Sequence, residues 1–161
     1  MKTNKWLNII GAAAIATVLM GCPYTSTVPL SNPTVKVSDS FVGTWEKQNG
    51  DGATLEIYKA SETTMKLTEK SSATAEPVYY MAHFTDIAGT LFVNVKEDSE
   101  YSSYNLYKIE KQGDFKIVVS EVTPYIKETF DNSDAMKKFF EANMKNSYFF
   151  TTEDVSYFKV K

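Results

Sequence analysis

From Ala53 onward, apolar residues fall on every second position in one run after another, and this period of two constrains the chain more than any other feature. Side chains of an extended strand alternate between two faces, whereas a helical face recurs every three to four residues. Leu55 and Ile57 therefore share a face opposite Glu56 and Tyr58, and Met65 and Leu67 share one opposite Lys66 and Thr68. Tyr80, Ala82 and Phe84 alternate with Tyr79, Met81 and His83, and Leu91, Val93 and Val95 line the next run. Phe115, Ile117 and Val119 form the inward face of another. Between Leu106 and Tyr107 the alternation slips, which predicts a bulge.

The runs are separated by turn chemistry. Asn49-Gly50-Asp51-Gly52, Ile87-Ala88-Gly89 and Gln112-Gly113-Asp114 are rich in residues that tolerate the positive φ of tight hairpins. The pattern changes at Asn132. Asn132 or Ser133 caps a helix, Asp134 suits its N-terminal dipole, and Met136, Phe139, Phe140 and Met144 recur at helical spacing. Val155 to Val160 then reads as a last strand. Short strands joined by short turns in chain order predict a mainly β fold. It is a single antiparallel meander β-barrel over residues 40–161, full or shortened, with one C-terminal helix followed by a last strand. The helix is expected on the outside of the barrel or across one end.

The N-terminus has a different grammar. Lys2 and Lys5 precede an apolar run, Ile9 to Met20, and small Gly21 stands before Cys22. A charged head, an apolar stretch and a small residue at the cut define a secretory signal over residues 1–21. A spanning helix needs roughly 20 apolar residues, which this run does not reach. Leu19-Met20-Gly21-Cys22 resembles the lipobox of bacterial lipoproteins, in which the cysteine carries the lipid. The resemblance implies a membrane anchor on Cys22 without any membrane-spanning protein segment. Residues 22–39, with Pro23, Pro29 and Pro33, are expected to form a flexible tether at most ~50 Å long at about 3.1 Å per residue. No acidic cluster follows Cys22, and Pro23 rather than Asp comes next. By the same resemblance the protein belongs to the cell envelope, anchored in the outer membrane and facing the periplasm.

Composition narrows the chemistry. The signal carries two lysines and no acid, so its removal moves the formal net charge from −3 to −5. That balance disfavours nucleic acid as a partner. All 17 basic residues are lysine, so bidentate arginine recognition of phosphate or carboxylate is unavailable. His83 is the one histidine and Cys22 the one cysteine. Multi-histidine or cysteine–histidine metal sites are excluded, no Gly-rich phosphate loop or G-x-S-x-G elbow exists, and no cofactor is expected. Glu97, Asp98 and Glu100, and Glu153 with Asp154, read as solvated turns. Glu56 and Glu121 sit on strands and are expected to point outward, with a lumen-facing position as the alternative. The protein is expected not to be an enzyme.

Gly43-Thr44-Trp45 lies on the first strand, where a glycine lets a strand bend and a tryptophan plugs a narrow barrel end. It resembles the G-x-W signature of lipocalins and their calycin relatives. That family stacks an arginine from the last strand over the tryptophan; here Lys159 or Lys161 takes its place. The family's second signature, Thr-Asp-Tyr, is missing, and Glu100-Tyr101-Ser102-Ser103-Tyr104 is a distant echo. The chain is most similar to lipocalin-like bacterial lipoproteins with no assigned activity. The resemblance implies a barrel that binds a small apolar or amphipathic ligand. The 10 Tyr and 10 Phe supply candidates: Trp45, Tyr58, Tyr80, Phe84, Tyr104 and Tyr107. The competing expectation is a protein-interaction module that uses a sheet face or the 132–146 helix. The anchor is tested by intact mass: membrane-extracted protein should exceed the polypeptide 22–161 by its acyl groups, and Cys22→Ser should release the protein to the soluble fraction.

Overall fold

A computed structural model describes residues 23–99 and 103–160. The expected signal over residues 1–21, Cys22, the Glu100–Ser102 part of the tyrosine echo and Lys161 lie outside the described residues. Nine strands and one helix follow in chain order: β1 (Thr25–Ser26), β2 (Gly43–Lys47), β3 (Thr54–Lys59), β4 (Thr64–Lys70), β5 (Val78–Ile87), β6 (Thr90–Glu97), β7 (Tyr104–Gln112), β8 (Lys116–Glu121), α1 (Ser133–Asn143) and β9 (Val155–Lys159). Strands β2 to β8 form an antiparallel meander. β9 inserts between β8 and β2, closing an eight-stranded barrel, and β1 adds to the free edge of β7.

The turns follow their residues. Asn49 (φ 56°), Asp51 (φ 47°) and Gly52 (φ 80°) supply the left-handed backbone of the β2–β3 hairpin. Ala88 (φ 50°) and Gly89 (φ 83°) make the two-residue β5–β6 turn, and the Asp86 carboxylate accepts from the Gly89 N–H at 3.1 Å. Gly43, at φ 134°, begins β2 in a conformation that essentially only glycine adopts.

Two hydrophobic cores share the sheet. One fills the barrel and includes Trp45, Ile57, Met65, Phe84, Val93 and Ile117. The other lies outside it, under α1 and the chain segments flanking the barrel, and includes Leu30, Phe92, Leu106, Met136, Phe140 and Phe149. Asn132 caps α1, its side chain accepting from the Ala135 N–H at 2.9 Å. The helix lays Met136 and Phe140 inward, with Phe140 edge-on to Phe92 at 5.4 Å and to Phe149 at 5.0 Å. The helix thus packs on the barrel's outside, the first of the two expected positions.

Three expectations are corrected. Over its described part, the 22–39 segment is no free tether. Tyr24, Leu30 and Val37 are buried, β1 pairs with β7, and the Val37 N–H donates to the Glu62 carbonyl at 2.8 Å. A polar clamp holds this strap to the outer face of β5 and β6. The Leu30 N–H donates to Asn94 Oδ1 at 2.7 Å, and Asn94 Nδ2 donates to Thr85 Oγ1 at 2.9 Å and to the His83 carbonyl at 3.2 Å. His83 Nε2 donates to the Ser31 carbonyl at 2.7 Å. Burial pushes the imidazole below its ordinary value, the Ser31 bond partly opposing, so His83 sits neutral as a structural group.

No bulge breaks β7 at Leu106–Tyr107, since its register with β6 and β8 is continuous. Both residues are apolar because Leu106 faces the outer core and Tyr107 the barrel. Phe115 lies in the β7–β8 turn, 74% exposed, rather than on the inner face of β8.

The two special backbone positions make opposite predictions. In denaturant unfolding, Ala88→Gly should stabilise by about 0.5–1 kcal/mol, because the exposed alanine holds a left-handed conformation. Gly43→Ala should destabilise by about 1–3 kcal/mol.

Candidate functional site

The barrel interior is closed at one end and open at the other. At the closed end Trp45, fully buried, donates its Nε1–H to the Phe41 carbonyl at 2.8 Å. Phe41 belongs to a 3₁₀ turn, Asp39–Phe41, capped by Ser38, and its ring meets Phe84 at 4.9 Å. Lys59 pairs with Asp39 on the outside of this plug. Lys159 pairs in register with Trp45, holds its Nζ 5.4 Å from the ring centroid and donates to the Ser40 carbonyl at 3.3 Å. Of the two lysines expected near the indole, Lys159 occupies the place.

Above this floor a cavity of 260 Å³ remains. Its depth is apolar, lined by Ile57, Met65, Phe84, Val93, Ile109 and Val119 among others. Its mouth is polar: Tyr80, Tyr107 and Tyr157, with Glu69, Glu121, Glu153, Lys47 and Asn105. The placement follows from strand phase. Glu69 continues the inward series Met65–Leu67, Glu121 continues Ile117–Val119, and Tyr157 follows Val155.

The mouth groups are electrostatically perturbed. Burial pushes the Tyr80 hydroxyl up to about 12, reinforced by the charge of Glu69 and by a hydrogen bond to its carboxylate, with Glu97 adding to it. Burial, then Glu69, raises Tyr157 to about 12. Tyr107 is driven well above the tyrosine range, first by burial and then by Glu121. Burial alone raises Glu121. The four ion pairs found among the described residues all lie elsewhere, so no described lysine pairs with Glu69, Glu121 or Glu153. Among the described residues no three His, Cys, Asp or Glu side chains converge on a metal position. The site therefore offers an apolar slot beneath a ring of hydroxyls and carboxylates. It can bind and orient an amphipathic molecule, with its apolar end buried and its head at the rim.

The six aromatic candidates divide. Tyr80, Phe84 and Tyr107 line the cavity. Trp45 lies beneath it as the plug. Tyr58 points outward, 50% exposed, and its hydroxyl donates to the Glu56 carboxylate at 2.7 Å. Tyr104 also lies on the outer face, edge-on to His83 at 6.3 Å with Lys96 Nζ 5.6 Å from its centroid. Tyr157, Glu69, Glu153, Lys47 and Asn105 were not among the candidates, although strand phase alone marks Glu69 and Tyr157 as inward. Glu121, expected to point outward with the lumen as the alternative, faces the lumen.

No protein-family model matches the chain, and no curated protein or solved structure matches it either. Among the described residues, no helix is long and apolar enough to cross a membrane.

The raised tyrosines set a pH dependence. A hydroxyl whose pKa is higher in the fold than in the unfolded chain contributes stability that is complete below about pH 10, the unfolded value, and is lost as the pH climbs through 12. Unfolding free energy should therefore fall by on the order of 2 kcal/mol more in the native protein than in Tyr157→Phe between pH 10 and 12. Urea titrations at fixed pH measure the difference. For Glu121 the fold disfavours the charged form, so Glu121→Gln should raise stability at pH 7.

Proposed function

We propose that this chain is a lipid-anchored protein of the cell envelope, held in the outer membrane on the periplasmic side, whose barrel binds a small amphipathic molecule. The one-ended cavity, apolar in depth and polar at its rim, is the observation that carries the reading. Its 260 Å³ lies just below the roughly 300–1,000 Å³ of drug-sized sites, so the ligand is compact or only its apolar portion enters. The Gly43–Trp45 plug under Lys159 supports the lipocalin-like reading of the barrel. The role is binding rather than catalysis: His83, the one imidazole, is committed to the strap on the barrel's outside.

A protein-interaction role for the 132–146 helix has less support. The apolar stripe of α1 is already spent on Phe92 and Phe149.

Calorimetric titration of the mature protein with six- to eight-carbon alcohols, carboxylates and amines tests the binding role. Chains with a donor-bearing or cationic head should bind best, since Glu69, Glu121 and Glu153 ring the mouth, and carboxylates worst. Phe84 stands at the inner end of the slot, so Val93→Trp beside it should fill the space and lower affinity at least tenfold. Absence of saturable heat with every head group would overturn the reading.

A further inference from the structure

No slack separates the proposed anchor from the folded domain. Tyr24 is buried; its N–H donates to the Val122 carbonyl at 3.4 Å, and its hydroxyl donates to the Glu128 carbonyl at 2.9 Å. Its ring stands edge-on to Phe140 at 6.3 Å. Only Pro23 intervenes before Cys22. Successive Cα atoms are 3.8 Å apart, so the acylated residue lies within about 8 Å of the Tyr24 Cα. The surface around this exit point is therefore the surface the anchor draws to the bilayer.

That surface carries two large exposed rings. Tyr125 is three residues beyond Val122 and 83% exposed, and Tyr148 is 62% exposed. They flank a cleft of 150 Å³ whose walls include Ile126, Phe139 and Phe149. The Thr123 N–H donates to the Phe149 carbonyl at 3.0 Å, which ties the two ring-bearing segments together. Lys127 stands on the same segment, its Nζ held by the Pro124 carbonyl at 2.8 Å. Rings with an apolar body and a polar tip favour the headgroup layer of a membrane, where an exposed lysine is also at home. A single such ring binds lipid weakly. Held close to the anchor point, it meets the bilayer at high effective concentration, and weak contact becomes persistent.

We propose that the face bearing Tyr125 and Tyr148 lies on the bilayer when Cys22 is acylated and fixes the barrel's orientation. This rests on the lipid-anchor reading. The cavity mouth borders the same face: Glu121, which lines it, immediately precedes Val122, and Thr151 donates to the Glu121 carbonyl at 2.9 Å two residues before Glu153. The barrel is thereby held with its opening beside the headgroups, where an amphipathic molecule leaving the bilayer enters head-outward.

The test uses the mature chain from Cys22, its thiol coupled to a maleimide phospholipid, so that anchoring is independent of cellular processing. Tyr125→Trp, Tyr148→Trp and Phe115→Trp each add one indole to the buried Trp45, whose signal in the parent is subtracted. Phe115 serves as the control because it is as exposed but sits on the closed-end hairpin, where the Lys159 N–H donates to its carbonyl at 2.9 Å. On phosphatidylethanolamine–phosphatidylglycerol vesicles containing brominated lipid, positions 125 and 148 should be quenched at least twofold more than position 115. Equal quenching at the three positions, stronger quenching at 115, or none at 125 and 148 overturns the docking face. The mass of native Cys22 is a separate measurement: an unacylated cysteine there overturns the anchor reading and, with it, the biological role of the face.

Discussion

One buried indole ties the start of the barrel to its closing strand. Trp45 donates to Phe41, packs in the barrel floor and lies under Lys159 of the last strand, so the entry turn, the first barrel strand and the closing strand meet on one side chain. A barrel of eight strands encloses just enough room for its own side chains or one small ligand. With the floor filled by Trp45, Phe41 and Phe84, the remaining space collects toward the other end. The cavity exists because the plug is large, local and hydrogen-bonded.

The middle strands bear the second constraint. In β5 and β6, Ala82 to Thr85 and Phe92 to Val95 are buried on both faces, inward against the barrel core and outward under the strap and helix. Polar residues there need partners, and Asn94, Thr85 and His83 find them in one another and in the strap backbone. Such a network specifies one docking of residues 30–31 and no other, because each alternative strands a buried amide or imidazole. Ser120, on β8, is the exception among the described residues: its hydroxyl is buried without a partner, and nothing in the structure explains it.

How much of this was legible in the sequence depends on range. Local rules sufficed for the strands, the hairpin turns, the Asn132 cap and the apolar stripe of α1, each written in neighbouring residues. The lysine over Trp45 followed from the lipocalin resemblance, which left Lys159 and Lys161 open, rather than from any local pattern. The strap was hidden, since Tyr24, Leu30 and Val37 are isolated apolar residues in a Pro- and Thr-rich stretch with no period. Its partners lie far along the chain, with Asn94 64 residues from Leu30. Leu106–Tyr107 misled for a related reason: a strand covered on both faces loses its alternation without any bulge. Tyr58 and Tyr104 were chosen for ring chemistry against the phase of their own strands. Followed to the strand ends, that phase leads to Glu69, Glu121 and Tyr157 at the mouth.

The position of β9 has a consequence for how the molecule comes into being. β2 and β8 do not pair with each other; each pairs with the chain's last strand, Val155–Lys159. A polypeptide emerging N-terminus first, from a ribosome or through a membrane pore, has an open sheet with two exposed edges until Val155–Lys159 arrives. Closure is thus postponed until β9 has emerged, and it requires the barrel's first and last strands to meet in space. Most of its native pairings are short hairpins that wait ready-made, so the final step is the insertion of a single strand between two edges already in register.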